Sequence, residues 1–237
     1  MTTIQMSSKT YPSLSLEHEL WATGARFVIG MDEVGRGAVA GPVAVGVALL
    51  DSQDPRILEP WPTKLCDSKL ISEKIRNEIL EPVQNWVTAH AVGMATAIEI
   101  DEFGIVSALA MSAQRALTEL LDDALLRKEI AGDGAVIILD GSHNWLGPKA
   151  SGIPVIVRTK ADRDCVSVAA ASVISKVTRD NLMIQTAAQF PEFGLAAHKG
   201  YAAESHIAAI RTYGPTSQHR HSWLTKILGD GQLDFEE

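Results

Sequence analysis

Two apolar stretches, Phe27-Val28-Ile29-Gly30 and Val43 to Leu50, bracket the run Met31-Asp32-Glu33-Val34-Gly35-Arg36-Gly37. Two strand-like stretches with so short a link predict an antiparallel hairpin, with Arg26 to Met31 and Pro42 to Leu50 as its strands. The Asp32 and Glu33 carboxylates then fall where a core strand ends. Burying them is costly unless something compensates, and a hard cation is the usual compensation. Gly35-Arg36-Gly37 is a tight turn around one arginine, a backbone suited to lie against a phosphate or sugar. Adjacent strand residues point to opposite faces. Asp32 and Glu33 can therefore share one site only if the strand ends or bulges at that dipeptide.

The rest of the chain alternates helical and strand patterns. Asp51 to Asp67, with Pro55, Pro60 and Pro62, reads as a loop. Ser72 is placed to cap a helix running to about Trp86. Thr88 to Ile98 reads as a third strand. Ile105 to Ile130 reads as one long helix with Leu109, Ala113, Leu117, Leu120 and Leu121 at its apolar positions. Ala135 to Leu139, followed by Asp140-Gly141, is the continuous apolar run of a strand buried on both faces. Ile153 to Arg158 reads as a fifth strand and Val166 to Phe190 as a long helix. That helix starts with Ala169-Ala170-Ala171-Ser172, small enough to approach a sheet or a ligand closely. A last helix is expected from about Ala203 to Tyr213. The order predicts an α/β fold, a mixed sheet flanked by helices. Residues 1–24 read as a partly disordered leader, 25–195 as the core, 196–228 as a C-terminal helical appendage and 229–237 as an acidic tail.

With 237 residues and 46% hydrophobic composition, the chain suffices for one large domain, alone or with a small appendage. Aromatics make up only 5%, so the core must be aliphatic. The longest apolar stretch, Ala38 to Leu50, is broken by Gly41, Pro42 and Gly46 and cannot span a membrane. The N-terminus lacks a secretory pattern. Cys66 and Cys165 form no CxxC pair, which fits a reduced, cytoplasmic compartment and no structural zinc. The net charge of −8 argues mildly against a nucleic-acid substrate. Its distribution argues the other way: residues 1–140 carry 20 acids and 11 bases, whereas residues 141–226 carry 5 acids and 10 bases. Local field rather than total charge decides whether a polyanion can dock. Chance clustering on a solvated surface is the competing account.

Four carboxylates fall at the ends of expected elements: Asp32 and Glu33 after the first strand, Asp140 after the fourth, Asp162 after the fifth. If the first and fourth strands are neighbours, Asp32 and Asp140 converge at one edge, and Asp162 can close the site. An oxygen-only set without paired histidine or cysteine favours Mg2+ or Mn2+ over zinc. Two such ions about 4 Å apart can activate water and stabilise the leaving oxygen of a phosphodiester. Taken singly, each acid reads as a solvated turn or a cap. Three strand ends coinciding with Gly-Arg-Gly favour the functional account.

These segments, in this order, resemble the type 2 ribonucleases H, specifically bacterial ribonuclease HII. The likeness runs over roughly residues 27–225. It rests on Gly30 to Gly37 with Ala40-Gly41-Pro42, Asp67-Ser68-Lys69 with Ser72-Glu73-Lys74, and Leu139-Asp140-Gly141. It continues with Lys160-Ala161-Asp162, Ala170 to Asp180, His198-Lys199-Gly200-Tyr201 and His219 to Trp223. The resemblance implies a ribonuclease H-like fold with a five-stranded mixed sheet and a C-terminal helical segment, in a monomer. It implies cleavage of RNA in RNA–DNA hybrids and incision at single ribonucleotides in duplex DNA, leaving 3′-hydroxyl and 5′-phosphate ends. That activity belongs to DNA replication and ribonucleotide excision repair. By position, Asp32, Glu33, Asp140 and Asp162 would be the catalytic, metal-binding acids. Gly35, Arg36 and Gly37 would contact the 2′-hydroxyl and phosphate. Tyr201 would pack on the following deoxyribose, and Lys69 and Lys176 would hold phosphates. The 2′-hydroxyl is the group that separates RNA from DNA at a given sugar. Asp180 is expected in a helix-surface or ion-pair contact rather than on a metal. Two departures are visible: Lys69 is followed by Leu70 where the family usually has a second lysine, and the N-terminal leader and acidic tail lie outside the resemblance.

Three rivals remain at this level. A junction resolvase or transposase-type nuclease of the same fold would share the acids without needing Gly-Arg-Gly and Tyr201. A metal-independent ribonuclease would use His198, His219 or His221 as acid and base. A non-catalytic hybrid-binding module would gain nothing from four mutually repelling carboxylates facing a polyanion.

Overall fold

The computed structural model describes residues 11–147 and 149–228. The first ten residues of the expected leader, and the acidic tail 229–237, lie outside the described residues. The strands are β1 (Phe27–Val34), β2 (Val43–Asp51), β3 (Ala89–Ala95), β4 (Ala135–Asp140), the two-residue β5 (Lys149–Ala150) and β6 (Ile153–Arg158). The helices are α1 (Ser15–Ala22), α2 (Glu73–Trp86), α3 (Ala97–Leu120), α4 (Ala124–Asp133), α5 (Ala161–Asp164), α6 (Val166–Ala187), α7 (Leu195–His198), α8 (Glu204–Tyr213) and α9 (His221–Leu228).

Five full strands form the expected mixed sheet in the order β3-β2-β1-β4-β6, with β5 added at the edge beyond β6. β1 and β2 make the expected antiparallel hairpin, from Phe27↔Asp51 to Val34↔Ala44. β4 runs parallel to β1 from Phe27↔Ala135 to Met31↔Leu139. Both neighbours of β1 are core strands, and every residue of β2 is buried. Phe27, Ile29, Met31, Val45, Val47, Ile137 and Leu139 turn to one face, against Leu109, Ala113 and Leu117 of α3. On the other face, Ala48 and Leu50 meet Val166, Ala170 and Val173 of α6, with Ile79 and Val83 of α2 behind them. Each Val, Leu, Ile, Phe or Met side chain among them contributes about 1.5–3 kcal/mol on burial.

The small-residue start of α6 serves the sheet. A Cβ at Gly30 would sit 2.2 Å from the Ser167 carbonyl carbon, and one at Gly46 would sit 2.6 Å from Ala171 O. The helix therefore lies directly on strand backbone. Because it does, Ser172 and Ser175 come to the level of the strand ends where the acids stand.

The structure corrects several boundaries. β1 does not stop at Met31: it continues through Val34 on the β2 side with no bulge in the register. β3 ends at Ala95, because Thr96 and Glu99 form a reciprocal capping box that starts α3. α3 breaks at Gly104, which has φ +77°, so its second part begins at Ile105 as expected. The helix expected over Ile105 to Ile130 is two helices. Asp123 accepts from the Leu125 and Leu126 amides at 2.8 and 3.0 Å, satisfying orphan donors and starting α4 afresh. α9 is held by Asp101 of α3, whose carboxylate accepts from the His221 and Ser222 amides at 2.8 and 3.1 Å.

The leader is also revised over its second half. α1 folds onto the sheet, and Glu17 is fully buried. Its Oε1 accepts from Ser167 N at 2.9 Å and from Ser167 Oγ at 2.8 Å. The first turn of α6 has no cap from its own Cys165, so α1 supplies one from elsewhere in the chain. Burial raises the Glu17 pKa, and the hydrogen bonds from Ser167 oppose the rise. Glu17→Ala leaves the Ser167 donors buried without an acceptor, which costs about 1–3 kcal/mol. Urea denaturation should show that loss as a lower midpoint at unchanged slope; an unchanged midpoint would refute the capping role.

Candidate active site

The acids gather where the β1–β4 ladder stops. β4 is paired with β1 only to Met31↔Leu139, so Asp140 follows beside Asp32 at the open end. β2 meanwhile carries β1 on to Val34, holding Asp32 opposite Gly46 and Glu33 opposite Val45. Strand alternation still sends the two side chains to opposite faces. Asp32 lies on the α6 side, where the Ser172 hydroxyl helps to stabilise its charge. Glu33 lies on the α3 side, accepting from Arg36 Nη1 at 3.3 Å. They meet over the edge that β4 vacates. A one-sided strand ending, rather than a bulge, lets adjacent acids serve one site.

Electrostatics record the convergence. Burial pushes Asp32 up to about 8; repulsion from Asp140 and Glu33 adds to the rise, against relief from Lys69 and Ser172. Burial also raises Glu33, with Arg36 opposing and Asp140 adding to the rise. Asp162, buried in α5, is raised by burial and then by Asp140 and Asp67. Lys69 Nζ lies 3.5 Å from Asp162 Oδ2. Burial lowers the Lys69 pKa, but Asp32, Asp162, Asp67 and Asp140 outweigh it and leave the ammonium raised. One lysine thus faces four carboxylates.

The donor set fits a hard divalent cation: it is all oxygen, and its deepest member, Asp32, is pushed up to about 8 by burial, so that added positive charge would favour its ionised form. Among the described residues, no three His, Cys, Asp or Glu side chains are drawn into a ready-made cage.

The acids open onto a cleft of about 530 Å3 lined by Asp32, Glu33, the Gly35-Arg36-Gly37 turn, Lys69, Lys176 and Tyr201. The fold thus unites residues up to 169 positions apart, from Asp32 to Tyr201. Asp140 and Asp162 adjoin this lining through Asp32, Glu33 and Lys69. Lys176 lines the cleft, but its ammonium is 2.6 Å from Asp180 Oδ1, so part of its charge is used within α6. Asp180 is in the ion pair expected of it, and it is buried rather than on the helix surface. The Tyr201 ring stands over Lys176 Nζ at 5.9 Å and Arg179 Cζ at 5.6 Å.

The histidines expected of a metal-independent ribonuclease do not line this cleft. His219 is buried against His206 with their Nε2 atoms 3.2 Å apart; burial, then His206, pushes it down to about 4. His198 Nε2 bonds Phe193 O at 2.9 Å, and His221 Nε2 bonds Thr216 O at 3.1 Å.

Three residues near the site escaped sequence reasoning. Asp67, nearly inaccessible, accepts from Lys69 N at 2.9 Å and Arg163 Nε at 3.2 Å, and its charge helps raise the pKa of Asp162. Arg179 and Arg220 are fully buried behind the Gly-Arg-Gly turn. Arg179 donates to Pro42 O, Lys199 O and Ala40 O at 2.8, 3.0 and 3.3 Å. Arg220 donates to Gly35 O at 2.7 Å, Arg36 O at 2.9 Å, and Gly41 O at 3.1 and 3.3 Å. An arginine that reads as one more surface charge in a sequence gives no sign of being interior.

The search for similar proteins returned one consistent class. The structure superposes on the ribonuclease H2 of Pyrococcus horikoshii OT3 with a TM-score of 0.66 and 27% identity, covering 85% of this chain and 96% of that one. It shares its fold with Bst-RNase HIII, solved in complex with Mn2+, at a TM-score of 0.66, 24% identity and 90% and 70% coverage. Fold and acids together define a nuclease of the ribonuclease H class. Among curated proteins, ribonuclease HII of Streptomyces avermitilis is 43% identical over 215 residues, 90% of this chain and 83% of that one. Ribonuclease HII of Thermus thermophilus is 36% identical over 205 residues, 86% and 89% of the two chains. The ribonuclease HII family model matches residues 29–226, and the chain belongs to that family. Among the described residues no helix is long and apolar enough to cross a membrane.

The two glycines of the turn have different reasons to be glycine. Gly35 has φ +81°, and a Cβ there would sit 2.1 Å from Arg179 Nε. A Cβ on Gly37 meets nothing within 4 Å. Gly35→Ala should therefore destabilise the fold by at least about 1–2 kcal/mol from the left-handed backbone alone. Gly37→Ala should leave the thermal midpoint unchanged while adding a methyl to the cleft. Equal midpoints for the two variants would contradict this division.

Proposed function

We propose that the chain is an endoribonuclease that hydrolyses the RNA strand of RNA–DNA hybrids and cuts 5′ to single ribonucleotides embedded in duplex DNA. It would leave 3′-hydroxyl and 5′-phosphate ends. The observation that carries this is one cleft holding both a crowded carboxylate edge and a Gly-Arg-Gly turn with Tyr201. The acids bear on any phosphodiester, whereas the turn and the tyrosine bear on which sugar lies beside it.

Asp32, Glu33, Asp140 and Asp162 would hold two Mg2+ or Mn2+ ions. When bound, such ions activate water for in-line attack and stabilise the leaving oxygen. The chain's own residues do the rest. Asp32 and Glu33 approach the scissile phosphate from the two faces of β1, with Asp140 between them. Lys69 balances part of the carboxylate charge and offers a cation to the backbone. The Gly35–Gly37 backbone and Arg36 would contact the 2′-hydroxyl and phosphate of the ribonucleotide. Tyr201 would pack on the next deoxyribose, where a 2′-hydroxyl would collide. Cys66 and Cys165 are buried and not joined in a disulfide, which fits a reducing cytoplasmic compartment.

A duplex bearing one ribonucleotide tests this. Cleavage is expected on the 5′ side of that residue in Mg2+ or Mn2+, and none in chelator. Asp140→Asn should slow it by about a hundredfold or more, since such ions stabilise transition-state charge by several kcal/mol. Cleavage that persists in chelator, or a cyclic phosphate product, would exclude the two-metal mechanism.

A further inference from the structure

Arg179 and Arg220 are anomalous as purely structural residues. Both are fully buried, they repel each other, and neither forms an ion pair with a carboxylate among the described residues. Arg179 gives three hydrogen bonds and Arg220 gives four, all to backbone carbonyls of segments 35–42 and 199. Those bonds satisfy the guanidinium donors, but no carboxylate among the described residues reaches either charge in an ion pair; Asp180 acts on Arg179 and Asp101 on Arg220 only at longer range. A buried charge in this state is costly. Neutral donors would hold the same carbonyls without that cost.

The direction of the turn's peptide groups says where the anion belongs. Arg220 draws the carbonyls of Gly35 and Arg36 inward. The amides of Arg36 and Gly37 have no hydrogen-bond acceptor among the described residues and belong to the cleft-lining turn. Arg179 packs directly behind Gly35, where even a methyl would collide. Free amides in front, with two guanidiniums one backbone layer behind, form an anion-binding concavity. It stands in a cleft whose other end is acidic.

We infer that Arg179 and Arg220 are positioning residues for one phosphodiester of the substrate: they aim the amides of the Gly35–Gly37 turn outward and supply, from behind the turn, the positive field that the phosphate completes. The inference rests on the nucleic-acid function proposed above and adds to it the source of the turn's charge and shape. Neither arginine touches the substrate.

The test uses duplexes with one ribonucleotide and one neutral methylphosphonate, moved linkage by linkage around it. kcat and KM are measured for the wild type, Arg220→Gln and Arg220→Lys, with thermal midpoints for each. In the wild type, one position should cost about tenfold in kcat/KM, the loss expected for a charge-assisted phosphate contact. Arg220→Gln should lose about as much on the unmodified duplex, mainly through KM, and little more when that linkage is neutral. Arg220→Lys keeps the charge but loses the fork, so it should retain most of the wild type's sensitivity at that linkage even if its midpoint falls. A structural role alone would make the two variants alike. Losses that multiply at every linkage, or a wild type indifferent to all of them, overturn the inference while leaving ribonuclease activity intact. A wild type that fails to cut the unmodified duplex overturns the proposed function and this inference with it.

Discussion

The parallel pairing of β1 with β4, and its halt at Met31↔Leu139, is the constraint on which the site depends. A parallel strand buried on both faces cannot carry carboxylates along its length. It can carry them where the ladder stops, provided the neighbouring strand keeps the backbone in place. β2 does this by pairing with β1 through Val34. The result is a rigid strand whose last residues are supported on one side only. Asp32, Glu33 and Asp140 therefore converge without a strained bulge. α6 can reach the same edge because Gly30 and Gly46 let it lie on bare backbone, which brings Ser172 to Asp32 and Lys176 to the cleft.

Charge is divided across the cleft. At the strand ends, carboxylates outnumber cations, and Asp32 is held near 8 by burial and by its neighbours. At the turn, Arg179 and Arg220 lie inside, bonded to backbone carbonyls but in no ion pair among the described residues. Each end is unsatisfied in the free protein, in opposite senses. A polyanion accompanied by divalent cations satisfies both. The free protein thus stores electrostatic strain that ligands of one chemistry relieve, which is the condition for selective binding rather than for maximal stability.

Much of this was legible in the sequence because strand periodicity and strand-end acids are local signals. The hairpin, the buried run Ala135–Leu139 and the Ser72 cap follow from neighbouring residues. Where the expectation failed, a distant contact decided. α1 is a helix because Glu17 caps Ser167, 150 residues away. The 105–130 pattern is apolar enough for one helix, but Asp123 starts a second. Gly35 reads from the sequence as clearance for a phosphate; in the fold it is clearance for Arg179. The basic excess of residues 141–226 likewise reads as a surface, yet Arg179, Lys199 and Arg220 are interior.

Manganese gives the most direct test of the central claim that carboxylates at the β1–β4 edge form a metal site. Crystals grown with Mn2+ and measured for anomalous scattering should show ion density between Asp32, Glu33 and Asp140, extending toward Asp162. Anomalous density absent from that edge, or found only at the His206–His219 pair, would contradict the account.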